Sequence, residues 1–169
     1  MSKTFGYLSW LKYSLVAAVL YCIPMLIFVL GTSYTQAWLL YVGNALFLGV
    51  VVVFMLAFNR ERRANASTVA MLVAGHVVTV AGILIACLIA FIIMVTLVPG
   101  FLEAGTAGRV LTDEPDMMVK GKTNGLNFMV LMNAIVGNVS MGSFASIMFA
   151  FTPQRDQTKE STAPQEQAV

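Results

Sequence analysis

The chain has 169 residues, 59% hydrophobic and only 11% charged, with a formal net charge of +2. A soluble domain typically carries about 25% charged residues, so this composition has too few polar side chains to coat a water-soluble globule. It also argues against a nucleic-acid partner, because the small positive excess is not gathered into a basic patch with interleaved aromatics.

Four apolar runs stand out, at about 13–31, 37–58, 68–98 and 125–151. Each reaches the roughly 20 residues that cross ~30 Å of hydrocarbon as an α-helix. Backbone polar groups in lipid must be satisfied internally, and no run shows the short alternating pattern of barrel strands. The expectation is an all-α integral membrane protein. It would form an up-down-up-down four-helix transmembrane bundle over residues 1–152, followed by a polar, disordered cytoplasmic tail at 153–169.

The first run follows Lys3 and Lys12 and ends in Gly31, Thr32 and Ser33. Its apolar stretch exceeds the roughly 7–15 residues of a signal-peptide core, so it is expected to be a retained span. Tyr21 stands where a lipoprotein signal needs a small residue before Cys22, which excludes lipidation there. Residues 3–12 are expected to form a short interfacial helix. Tyr7, Trp10 and Tyr13 mark one membrane boundary, and Tyr34, Trp38 and Tyr41 the other.

The connections at 32–36 and 59–67 are short, so neighbouring spans are expected to be antiparallel and adjacent. The third run, about 31 residues or ~46 Å of helix, must tilt or project, and Pro99-Gly100 is its natural stop. The outer loop at 99–124 carries Asp113, Glu114 and Asp116 without the Gly-centred pattern of a calcium loop. It reads as a solvated turn around Pro115, so no metal site is expected. Lys3, Lys12, Arg60, Arg62, Arg63, Arg155 and Lys159 fall on one side of this layout, seven of the ten basic residues. That bias predicts both termini in the cytoplasm.

In the fourth run Ala134, Asn138, Gly142, Ser146 and Ala150 recur every four residues. A small-residue stripe in a membrane helix marks a closely packed interface. Ala74, Gly82, Ala86 and Ala90 form a matching set in the third run. The expectation is that the third and fourth spans pack on each other. A seam to a second copy or to an unlike membrane subunit is the alternative.

Polar residues are placed by counting depth from the inner ends. His76, the only histidine, falls level with Tyr21 and Ser143. Asn44 and Asn138 fall together near the midplane. Two polar layers are expected: His76 with Tyr21 or a serine at 140 or 143, and Asn44 with Asn138. Asn133 is expected to meet Thr96 or water. An ionisable residue in a span is a functional hypothesis by default. A neutral histidine, however, costs far less than a charge and is satisfied by one hydrogen bond at each ring nitrogen. Three readings of His76 stay open: a structural histidine, a proton-coupled or ligand-contacting one, and a metal or haem ligand. Counted the same way, Cys22 and Cys87 differ in depth by roughly 15 Å, too far for a disulfide.

The stretches KYSLVAAVLY, at 12–21, and GNVSMGSFASI, at 137–147, carry a resemblance. With the four-run layout they make the chain similar to small uncharacterised four-span proteins of the bacterial inner membrane, a domain-of-unknown-function family. The resemblance implies a fold and a location, and no activity or site residues.

Three functional classes are weighed. The single histidine has no acid at membrane depth, which excludes a Ser-His-Asp set. No zinc-type His/Cys cluster and no Gly-rich phosphate loop occurs. Catalytic, cofactor-binding and metal-ligating residues are therefore not expected. The first reading is a non-enzymatic accessory or scaffold subunit of a membrane complex. The second is a small oligomeric transporter or channel using polar layers around His76 and Asn44/Asn138. Small four-span multidrug exporters are similar in length, but they carry a membrane glutamate that this chain lacks. The third, a membrane enzyme or redox subunit, has the least support.

Overall fold

The computed structural model describes residues 7–31, 33–62, 67–98 and 125–151. They form helices α1 (Tyr7–Gly31), α2 (Trp38–Arg62), α3 (Thr68–Leu97), α4 (Gly125–Met132) and α5 (Asn138–Phe151). A 3-10 turn, Tyr34–Gln36, joins α1 to α2, and a π turn, Asn133–Gly137, runs from α4 into α5 without a loop. There is no β-strand among the described residues. Four helical segments are long and apolar enough to cross a membrane: Ser9–Gly31, Tyr34–Arg60, Thr68–Leu97 and Leu126–Phe151. The outer loop and tail expected at 99–124 and 153–169 lie outside the described residues.

Helix ends follow local chemistry. Ser67 caps α3, its hydroxyl accepting the Ala70 N–H at 3.2 Å. α3 stops at Val98, whose extended backbone (φ −103°, ψ 105°) suits a residue that precedes a proline. α1 contains Pro24, which has no N–H to offer the Leu20 carbonyl one turn back. The helix also starts earlier than hydropathy suggests. Residues 7–12 belong to α1 itself, so no separate interfacial helix forms there.

The packing corrects one expectation. α1 packs on α2 and α3, and the fourth span packs on the same two helices. α2 and α3, consecutive in the chain, therefore sit on a diagonal with lighter contact. Consecutive helices still run antiparallel: Tyr13 meets Phe54 edge-on at 5.3 Å while Tyr21 lies against Gly43. The expectation of adjacency failed on reach. Helix axes pack about 8–10 Å apart, so a diagonal measures roughly 13 Å. The peptide units from Arg62 to Ser67 span up to about 17 Å when extended. A short connection permits either neighbour.

Large side chains of α2 fill the middle of the bundle. Phe47, Val51, Phe54, Met55 and Phe58 are buried, with Tyr21, Met25 and Phe28 of α1 beside them. They reach across the diagonal to glycines of α3. A Cβ on Gly82 would stand 2.9 Å from the Phe47 ring, and one on Gly75 would stand 3.0 Å from Met55 Sδ. The outer faces carry exposed Val, Leu, Ile and Phe on every span, such as Val19, Leu56, Leu84 and Phe144. Such a surface is matched to hydrocarbon.

Candidate functional site

The fourth span is the one with a break. A π turn closes its hydrogen bonds over five residues, and such single turns inside α-helices frequently mark functional positions. Here the backbone N–H of Asn138 goes to the Ile135 carbonyl. In an unbroken α-helix it would go to Ala134. The Asn138 side chain takes over that duty, Nδ2 donating to Ala134 O at 3.0 Å. One asparagine thus both ends the turn and bonds a carbonyl within it.

Side chains from two other helices converge on this turn. Tyr21 Oη of α1 donates to Asn133 Oδ1 at 3.2 Å, at the start of the turn. Asn44 of α2 lies against Gly137 at its end. A Cβ at 137 would stand 2.5 Å from Asn44 Nδ2 and 3.0 Å from its Oδ1. Only glycine leaves room for that amide. Asn44 is 2% exposed and Asn138 fully buried. The Oδ1 atoms of both are buried with no hydrogen-bond partner among the described residues. The turn is therefore ringed by four polar side chains, Tyr21, Asn44, Asn133 and Asn138. Its acceptors outnumber the donors aimed at them.

The structure separates His76 from this layer. Ser14 Oγ donates to Val78 O at 3.1 Å, and Cys22 Sγ to Ala86 O at 3.9 Å. Both links have a sequence separation of 64, so α1 and α3 run parallel in a fixed register. Tyr21 is then level with Ile85, and His76 with Lys12. Nine residues, or roughly 13 Å of helix, lie between the Tyr21 and His76 levels. Pairing His76 with Tyr21 is ruled out, because depth was counted from the ends of apolar runs and α1 begins well before its run. The His76 ring is half-buried and takes a hydrogen bond of 2.8 Å with the Leu72 carbonyl of its own helix. Ser143 is half-buried; Ser140 faces outward and donates to Val136 O. Thr96 also stays on its own helix, donating to Ile92 O, so it is not the partner of Asn133.

The same register moves the cysteines. Cys22 is level with Ala86, next to Cys87, so the depth difference expected from the sequence does not exist. Both thiols are nevertheless free.

The small-residue stripe Ala134, Asn138, Gly142, Ser146 and Ala150 is buried along its whole length. Its partners on α3 are Gly75 and Thr79, which the sequence reading missed. Ser146 Cβ would lie 2.8 Å from a Cβ on Gly75, and the Thr79 side chain fills the space over Gly142. The Gly75-xxx-Thr79 spacing was the available signal. Gly82, assigned from sequence to the fourth span, instead meets other neighbours, while Ala86 lies on the same α3 face as Gly75 and Thr79. Gly82 admits Phe47 of α2 and approaches the Ser14 carbonyl. No group of three His, Cys, Asp or Glu that could hold a metal ion occurs among the described residues.

No protein-family model, no curated protein and no solved structure matches the chain.

Proposed function

We propose that this chain is a non-enzymatic accessory or scaffold subunit of a membrane complex, a multi-pass protein of the bacterial inner membrane with both termini in the cytoplasm. The observation that carries this reading is the closed centre of the bundle. Phe47 against Gly82 and Met55 against Gly75 fill the axis between α2 and α3. Among the described residues large side chains of α2 occupy this axis, which supports a packing role rather than a pore within one monomer. His76 is tied to its own helix, in keeping with a structural histidine. The orientation draws support from the parallel register of α1 and α3. That register brings the basic segments around Lys12 and Arg60 to one end, where the positive-inside bias places the cytoplasm.

The test is purification of the tagged full-length protein in mild detergent, with mass and composition of what elutes. A stoichiometric unlike partner is the expected result. Elution of the chain alone as a homo-oligomer would overturn it. A second reading, a small oligomeric transporter, is favoured by the π turn and its two buried amide oxygens. Broken helices at membrane depth are the places where transporters build their sites. Flux that depends on Asn138 and Asn44 in reconstituted vesicles would select it.

A further inference from the structure

We propose that the π turn carries an internal site for a small neutral hydrogen-bond donor, held by Asn44 Oδ1 and Asn138 Oδ1 and filled by water in the resting protein. Both residues are more than nine-tenths buried, and neither oxygen has a protein donor among the described residues. The two amides border the same turn. Asn44 packs on Gly137, and Asn138 is the next residue. Asn138 cannot swing away to find a donor, because its Nδ2 is committed to the Ala134 carbonyl. Glycine at 137 leaves room for the Asn44 amide to lie against the turn.

The chemistry of the occupant follows from what surrounds it. Two carbonyl-type oxygens ask for two donated hydrogens, which one water supplies. Buried acceptors of this kind are the usual partners of internal water. A bare cation is a poor fit. The side-chain oxygens at the turn belong to three asparagines and a tyrosine, the backbone carbonyls beside them are neutral too, and the spans contain no carboxylate. Desolvating an ion there, with no countercharge, costs far more than immobilising one water. The site therefore selects a neutral donor, and the hydroxyl or amide of a small uncharged solute would compete for the same two oxygens. The inference holds whether the chain is a subunit or a transporter, since it concerns the turn alone.

The test uses the full-length protein in detergent micelles with asparagine side chains labelled in nitrogen-15. The expected result is through-space magnetisation transfer from long-lived water to the Nδ2 protons of both Asn44 and Asn138, unchanged when sodium is replaced by choline. Absence of transfer at both residues overturns the proposal. So does sodium-dependent melting accompanied by loss of the water signal, because that outcome identifies an ion. A second measurement is the melting temperature of Asn44→Leu, a change of similar shape. A hydrated site loses its bonds, and melting falls by about 2–4 °C or more, on the scale of a chain of this size. A dry orphan oxygen is relieved by the same change, so a rise in melting temperature overturns the proposal. Should Asn44→Leu fail to fold, the wild-type water transfer decides alone.

Discussion

α3 and the fourth span are both long, apolar helices with small residues on their buried faces, yet they handle polar groups in opposite ways. α3 keeps its polar side chains at home and lends only backbone carbonyls, Val78 O and Ala86 O, to α1. Thr79 donates to Gly75 O, His76 bonds Leu72 O, and Thr96 bonds Ile92 O, each one turn back on the same helix. The fourth span also closes some bonds locally, as Ser140 and Ser146 do. At its break, however, Asn133 takes a bond from α1 and Gly137 receives an amide from α2. An unbroken helix satisfies its own backbone and can tolerate polar side chains folded onto it. A π turn misplaces a carbonyl and widens the helix, so it recruits polar partners from outside. The difference teaches that α3 meets its neighbours through small side chains and backbone carbonyls, and that the fourth span is where side-chain polar groups of different helices are brought together.

Single-residue deletions test this contrast most sharply. Removing Leu84, an exposed residue of α3, would turn every later residue by about 100° and take Ala86, Ala90 and Met94 out of the core. No monodisperse folded bundle is expected by size exclusion. Removing Val136 from the π turn would only convert it to an α-turn, leaving the faces of α4 and α5 in register. That variant is expected to stay folded, with a lower melting temperature. Equal loss in both variants would end the distinction drawn between the two spans.

Overpacking the shared seam comes next. Gly142→Val places a branched side chain where Thr79 sits. A cost of about 1–3 kcal/mol or more is expected, read as a fall in the thermal or denaturant midpoint. Gly49 is the internal control. Nothing lies within 4 Å of a Cβ at 49, so Gly49→Ala should be neutral or stabilise by up to about 1 kcal/mol.

Tyr21→Phe removes only the hydroxyl given to Asn133. Hydrogen bonds between membrane helices average about 0.6 kcal/mol, so a small drop in melting temperature is expected. His76→Gln should be smaller still, because the bond it alters lies within α3. A larger effect from His76→Gln than from Tyr21→Phe would show that the histidine, not the bond at the π turn, carries more of the bundle's stability.

Much of the site could be approached from residue type and spacing. Depth counting put Asn44 and Asn138 at one level, and in the fold both border the π turn. It failed for Tyr21 and for the cysteines, where an error of nine residues moved Tyr21 onto His76 and Cys22 away from Cys87. The reason is that hydropathy marks where side chains are apolar. Helical hydrogen bonding continues past that edge, as it does from Tyr7 to Lys12 and again from Asn59 to Arg62. The parallel register of α1 and α3 is set by Ser14 and Cys22 finding carbonyls on a helix 64 positions away. Nothing local to either sequence encodes it.

The sequence by itself determined four long apolar helices, because backbone groups in hydrocarbon have to bond within their own segment and length alone counts the spans. It also determined that the fourth span packs through a small-residue face, because close approach needs small side chains whatever the partner is. Tertiary structure alone decided which helices are neighbours, since a short connection reaches a diagonal as easily as an edge. It also decided the π turn. That extra residue within one helical turn is stabilised by a tyrosine and an asparagine from other helices, and those contacts exist only once the bundle has assembled.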